Sequence, residues 1–177
     1  QHVFITKVLS DKCPVSLQTK EATYHFPLYL YPETHGQQSI ESESERVPNF
    51  NPEIVEEISK KLGLEFTAEK TERQGTFAPI DLLDYIYAVL HSPSYREKYK
   101  EFLKIDFPRV PYPTDSKIFW QLVALGGEIR QIHLLESPKL EEFITSYPED
   151  GDNIVEKPEY RNGNVYISKT QYFANVP

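Results

Sequence analysis

Cysteine occurs once in this sequence, at Cys13, and methionine not at all. A single cysteine excludes an internal disulfide and fits a reducing compartment. Nothing near Cys13 would lower its pKa, so it does not read as a nucleophile. Glycine is scarce, with seven in 177 residues, and none builds a phosphate loop. The pair Gly126-Gly127 follows no strand and is followed by neither a third glycine nor a lysine. No stretch approaches the roughly 18 apolar residues of a membrane span. Residues 1–10 lack a basic region followed by an apolar core, so no secretory signal is visible. Positive charge is also short. Nineteen Lys and Arg face 27 Asp and Glu, a net charge of −8. A protein that neutralises phosphates alone carries a basic excess. A nucleic-acid role therefore has to rest on a local basic face or on the rest of a larger parent. The start at Gln1 without Met reads as a piece of a longer protein, soluble and intracellular.

What is present suffices to fold. Hydrophobic residues make up 39% and aromatics 13%, enough for one core or one core with a smaller annex. The expected class is α+β: an N-terminal β part, a central cluster of three to four helices and a C-terminal β-hairpin. The whole is expected to form one domain, 1–177, with sub-parts 1–75, 76–147 and 148–177. Residues 2–9 alternate like a strand, as do the aromatic residues 24–31, where Pro27 belongs at an edge, a bulge or the strand's start. Residues 32–48, rich in Glu, Ser and Gln, read as an exposed loop.

Asn51 and Pro52 open a helix with Ile54, Val55, Ile58 and Leu62 on its apolar face, and Gly63 closes it. Residues 64–66 read as a short extended piece and 70–75 as a polar loop. Residues 79–91 form a helix apolar nearly all round, which belongs inside a protein. Pro93 starts another, to about Lys104. Three prolines make residues 106–113 rigid and extended. Thr114 is placed to cap a long helix to about Glu136, in which Gly126-Gly127 implies close packing or a kink. Ser137-Pro138 starts a short helix to about Tyr147, and residues 155–167 form a hairpin around Asn162-Gly163.

No residue set carries catalysis. The five histidines never pair at metal-ligand spacing, and His91 and His133 read as packed and hydrogen-bonded structural residues. Asp81 and Asp84 share a helical side, but such acids usually complement the helix dipole. Asp115-Ser116-Lys117 is half of a nuclease acid-x-lysine signature without the preceding acidic partner. The remaining constellation is basic and aromatic. Arg96, Lys98, Lys100, Lys104 and Arg109 are interleaved with Tyr95, Tyr99, Phe102 and Phe107. On one continuous helix, Arg96, Lys100 and Lys104 share a face that could lie along a phosphate backbone. A solvated face laced with Glu97 and Glu101 is the plainer reading.

Residues 82–113 (LLDYIYAVLHSPSYREKYKEFLKIDFPRVPYP) followed by 119–137 (FWQLVALGGEIRQIHLLES) resemble the C-terminal specificity region of type ISP restriction–modification enzymes. The resemblance extends to FPLYLYP (26–32), NPEIVEEISKKLGL (51–64) and DGDNIVEKPEYRNGNVYISKTQYF (150–173). The ends of recognition domains in type IIG enzymes look more distantly similar. This resemblance implies target recognition on double-stranded DNA for an adenine-N6 methyltransferase and nuclease of a bacterial, cytoplasmic enzyme. The methyltransferase domain would lie in the same chain, upstream of Gln1, and the parent would continue past Pro177. S-adenosylmethionine, with ATP and Mg in some parents, would belong to those other parts, because this chain lacks the Asn-Pro-Pro-aromatic and glycine-rich motifs. Base edges are read by Arg, Lys, Asn and Gln from loops or helix faces. Ser16, Gln18, Thr19 and Lys20 are the first candidates, with Lys12 and Arg73 as additions; Arg96, Lys100 and Arg109 are the candidates for phosphate. An intramolecular scaffold that packs on the methyltransferase domain without reading DNA is the alternative.

Overall fold

The computed structural model describes residues 3–8, 10, 18, 22–31 and 46–177. They are α+β, with the helices between small sheets. They fall into two units, Gln1–Leu134 and Leu135–Pro177.

In the first unit, β1 (Tyr29–Leu30) pairs antiparallel with β2 (Val47–Pro48). Helix α1 (Pro52–Leu62) follows as its end signals require. The Asn51 side chain accepts from Glu53 N at 2.8 Å, and Gly63 closes the helix at φ 65°. A left-handed residue at that position costs glycine little and other residues more. Val55, Ile58 and Leu62 face inward, while Ile54 stays exposed. Next, β3 (Glu65–Phe66) and β4 (Thr76–Phe77) form a short parallel ladder.

Helix α2 (Pro79–His91) has the bounds that its pattern implies. It buries Leu82, Tyr85, Tyr87, Ala88 and Val89. Its main neighbour is α4 (Ser116–His133). Phe119 of α4 is fully buried against Phe77 and Tyr85, with ring centroids 6.0 and 5.5 Å away. A fully buried side chain of that size contributes about 1.5–3 kcal/mol. The glycine pair resolves to close packing. A Cβ on Gly126 would lie 1.8 Å from the Asp84 carbonyl oxygen, and one on Gly127 would lie 3.2 Å from Asp84 Oδ2. Absence of side chains thus lets α4 pass against α2, offsetting the roughly 1 kcal/mol each glycine costs a helix.

Between these helices lie α3 (Pro93–Lys98), a single 3-10 turn at Phe102–Lys104, and the non-helical strip 105–115. The helix expected to reach Lys104 thus ends at Lys98. Tyr95 explains the break: its ring packs on Tyr99 (4.8 Å), and its hydroxyl donates to the Arg109 carbonyl at 3.0 Å. That bond draws the proline strip back beside α3, and six residues are too few for a helix to sustain itself. Asp115, rather than Thr114, caps α4, accepting from Ile118 N at 2.8 Å, and α4 stops at His133. Two further expectations change. Residues 3–8 form no strand, and of 24–31 only Tyr29–Leu30 is paired. Alternation alone cannot supply a neighbouring strand, and Pro27 offers no donor; its carbonyl instead accepts from Asn49 Nδ2 at 2.8 Å. Most of the expected acidic loop, 32–45, lies outside the described residues, and Val47–Pro48 is strand.

The second unit is a three-stranded antiparallel sheet, β5 (Glu159–Arg161), β6 (Asn164–Tyr166) and β7 (Tyr172–Phe173). Asn162 and Gly163 make the expected turn, at φ 50° and 76°, the paired positive values a two-residue hairpin requires. The third strand was not legible. The helix expected to reach Tyr147 shrinks to a 3-10 turn at Pro138–Glu141, because Ser146 instead exchanges backbone hydrogen bonds with Ala174 at 3.2 and 2.8 Å. Gln171, 2% exposed, anchors the loop: its Nε2 donates to Tyr147 Oη and Asn153 Oδ1, and its Oε1 accepts from Asn153 N.

Candidate nucleic-acid interface

The buried ionisable groups are occupied within the fold. Asp84 accepts two bonds from Arg130, at 2.6 and 3.1 Å. Asp81 accepts from Lys70 Nζ at 2.5 Å and from Ala78 N at 2.8 Å, the latter closing the start of α2. His91 and His133 each have Nδ1 engaged, with the Tyr87 carbonyl (2.9 Å) and the Tyr87 hydroxyl (2.7 Å). Burial pushes the Tyr87 phenol above its ordinary pKa. Asp115 is a helix cap. Among the described residues, no group of three or more His, Cys, Asp or Glu could hold a metal ion.

Exposed cations remain. Lys12, Ser16, Thr19 and Lys20 lie outside the described residues; Gln18 is described and stands exposed in a turn. Arg73 sits in the β3–β4 loop and reaches Glu65 at 3.0 Å, both side chains exposed. Lys100 follows the end of α3, and Arg109 stands on the proline strip. Their acidic neighbours are distant, Glu97 at 3.7 Å from Lys100 and Asp106 at 3.7 Å from Arg109. Arg96, exposed on α3, has no ion-pair partner among the described residues. Exposed pairs of that kind are worth about 0–1 kcal/mol, so a phosphate can replace the carboxylate at small cost. The break after Lys98 removes the single helical stripe expected of Arg96, Lys100 and Lys104. The Tyr95–Arg109 bond replaces it with another arrangement, a short helix and a rigid strip tied together at their middles. Arg109 also lies over the Phe102 ring at 5.3 Å. Burial raises the Tyr95 pKa, which favours the protonated donor in that bond.

Residues 93–113 carry five basic and three acidic side chains. The rest of the chain therefore holds −10 of charge, and this stretch is where a polyanion would meet least repulsion. One further cation escaped sequence reasoning. Arg46 is locked in a bidentate pair with Glu69, at 2.6 and 2.7 Å, over the Tyr29 ring at 3.9 Å. Its hydrogen bonds hold the Glu69 carboxyl below the usual range. Arg46 is thus spent on the fold, and no local signal marked the pair.

Two clefts are formed among the described residues. One, of about 110 Å³, lies at the start of α4 beside Tyr85 and Tyr112. The other, of about 100 Å³, is apolar and lies between α1, α2 and Val110.

The family model described as the type ISP C-terminal specificity domain matches residues 1–177. No curated protein and no solved structure matches the chain. The family match spans every element described above, and the chain belongs to the type ISP C-terminal specificity domains, with a target-recognition role in a restriction–modification enzyme.

Proposed function

We propose that this chain reads the sequence of double-stranded DNA on behalf of a bacterial cytoplasmic restriction–modification enzyme and catalyses nothing itself. Membership of the specificity-domain family across residues 1–177 carries this reading. Its local support is the basic, aromatic stretch 93–113 in an otherwise acidic chain. Arg96, Lys100 and Arg109 contact phosphates. Gln18, Lys12, Ser16, Thr19, Lys20 and Arg73 contact base edges, since amides, hydroxyls and cations match the donor and acceptor patterns of the major groove. The methyltransferase domain of the same chain is the other partner. It holds S-adenosylmethionine, and any ATP and Mg are held by further parts. No helix among the described residues is long and apolar enough to cross a membrane.

The test is the triple reversal Arg96→Glu, Lys100→Glu and Arg109→Glu in the full-length enzyme. DNA affinity falls tenfold or more at physiological salt, and the log–log salt slope shrinks by about 0.9 for each phosphate that is no longer neutralised. A second reading is favoured by Ile118 and Leu125, each 55% exposed on α4: the chain acts as a scaffold packed on the methyltransferase domain. That reading leaves both affinity and slope unchanged.

A further inference from the structure

The same region carries a feature that charge does not explain. Ile105, directly after the 3-10 turn, is 86% exposed, and Phe107 on the proline strip is 47% exposed. The Phe107 ring meets the rings of Tyr24 and Phe26 edge-on, at 5.1 and 6.2 Å, and these are 67% and 79% exposed. Scattered exposed apolar side chains are ordinary. Three aromatic rings in contact on the surface are the mark of a contact site. The tip is also stiff. Phe107 N donates to Asp106 Oδ1 at 2.7 Å, Pro108 fixes its own φ and restricts Phe107, and Tyr95 ties down Arg109 one residue further on.

The flanks of this tip identify its occupant. Lys104 precedes Ile105, Arg109 follows Pro108, and α3 adds Arg96 and Lys98. Apolar side chains set among cations in a stretch of net positive charge complement a polyanion with apolar faces between its charges. Stacked base pairs between phosphates have that chemistry. Proteins that insert Phe, Ile or Leu between base steps unstack them and kink the duplex.

We infer that Ile105, Phe107, Tyr24 and Phe26 form a wedge that enters the bound duplex at a base step and unstacks it, while the neighbouring cations hold phosphates. The wedge rests on the reading that the chain binds duplex DNA. It adds selection by deformability, since flexible TA and CA/TG steps open at least cost, and it makes Phe107 a specificity determinant without a hydrogen bond to any base.

The test takes a target duplex selected by the full-length enzyme from a random pool and places 2-aminopurine at each position in turn. Wild type raises the fluorescence roughly threefold or more at one base step apart from the adenine that the methyltransferase flips out, as unstacking does. Phe107→Ala removes most of that rise, and Phe107→Leu retains it. Ile105→Ser, at a site too exposed to matter to the fold, also lowers it. An identical fluorescence profile in wild type, Phe107→Ala and Ile105→Ser overturns the wedge and leaves DNA reading intact. Loss of domain association with unchanged DNA affinity also overturns it, by giving the rings to a protein partner. A pool from which no sequence is enriched overturns DNA reading and the wedge together.

Discussion

The α2–α4 crossing and the stretch from Pro93 to Pro113 use charge in opposite ways. At the crossing, Asp84 and Arg130 are both largely buried and meet in two hydrogen bonds. In the stretch, Lys100 and Arg109 have exposed side chains and acidic neighbours no closer than 3.7 Å. A buried pair is committed to the fold, because removing one partner strands the other in a poor solvent. An exposed, loosely paired cation costs the fold little to release. The difference teaches that the net charge of −8 says little about binding. The useful quantity is the charge left outside once the internal pairs are formed.

The comparison can be broken most forcefully at Gly126. Gly126→Val places atoms inside the Asp84 carbonyl. The helices then have to part, and a loss of about 3 kcal/mol or more is expected, seen as a collapsed thermal unfolding midpoint. Arg130→Met comes next, with a loss of about 3–5 kcal/mol by denaturant titration, because the buried Asp84 carboxyl is left without its bidentate partner. The double variant Arg130→Met with Asp84→Leu sharpens the point: it recovers much of that loss, as apolar replacement of whole buried pairs often does. In the exposed stretch, Arg96→Glu, Lys100→Glu and Arg109→Glu each change stability by no more than about 0.5 kcal/mol, while DNA affinity falls.

The smallest effect is one of pH. Burial raises the pKa of Tyr85 and Tyr87 above the ordinary 10.0. A tyrosine of this kind gives its full stabilisation below the unfolded value and loses it as pH rises through the folded one. Stability therefore declines above about pH 10, and Tyr85→Phe moves the alkaline unfolding midpoint upward. A midpoint unmoved by this variant would show that Tyr85 plays no part in the alkaline transition.

How much of this was legible depended on how local the cause was. Helix α1 was readable because Asn51, Pro52 and Gly63 are its own end signals. The bounds of α2 followed from Pro79 and the Ser92-Pro93 step. Gly126-Gly127 announced close packing, though only the fold supplied Asp84 as the neighbour. The hairpin turn was readable from Asn162-Gly163, but β7 was not, because a third strand needs a partner that sequence spacing does not name. The end of α3 depended on Tyr95 reaching Arg109, fourteen residues along. The three phosphate candidates came out exposed and in one region. The base-reading candidates near Gln18 mostly lie outside the described residues, and the aromatic cluster at Phe107 was missed because alternation made Tyr24 and Phe26 look like strand residues.

Exchange of residues 1–177 for the specificity domain of another type ISP enzyme, with the rest of the enzyme retained, tests the central claim most directly. The measurement is the DNA sequence that the hybrid modifies. If this domain selects the target, the hybrid takes the donor's target sequence. A hybrid that remains active on the recipient's original target would contradict that claim, and would place target selection elsewhere in the enzyme.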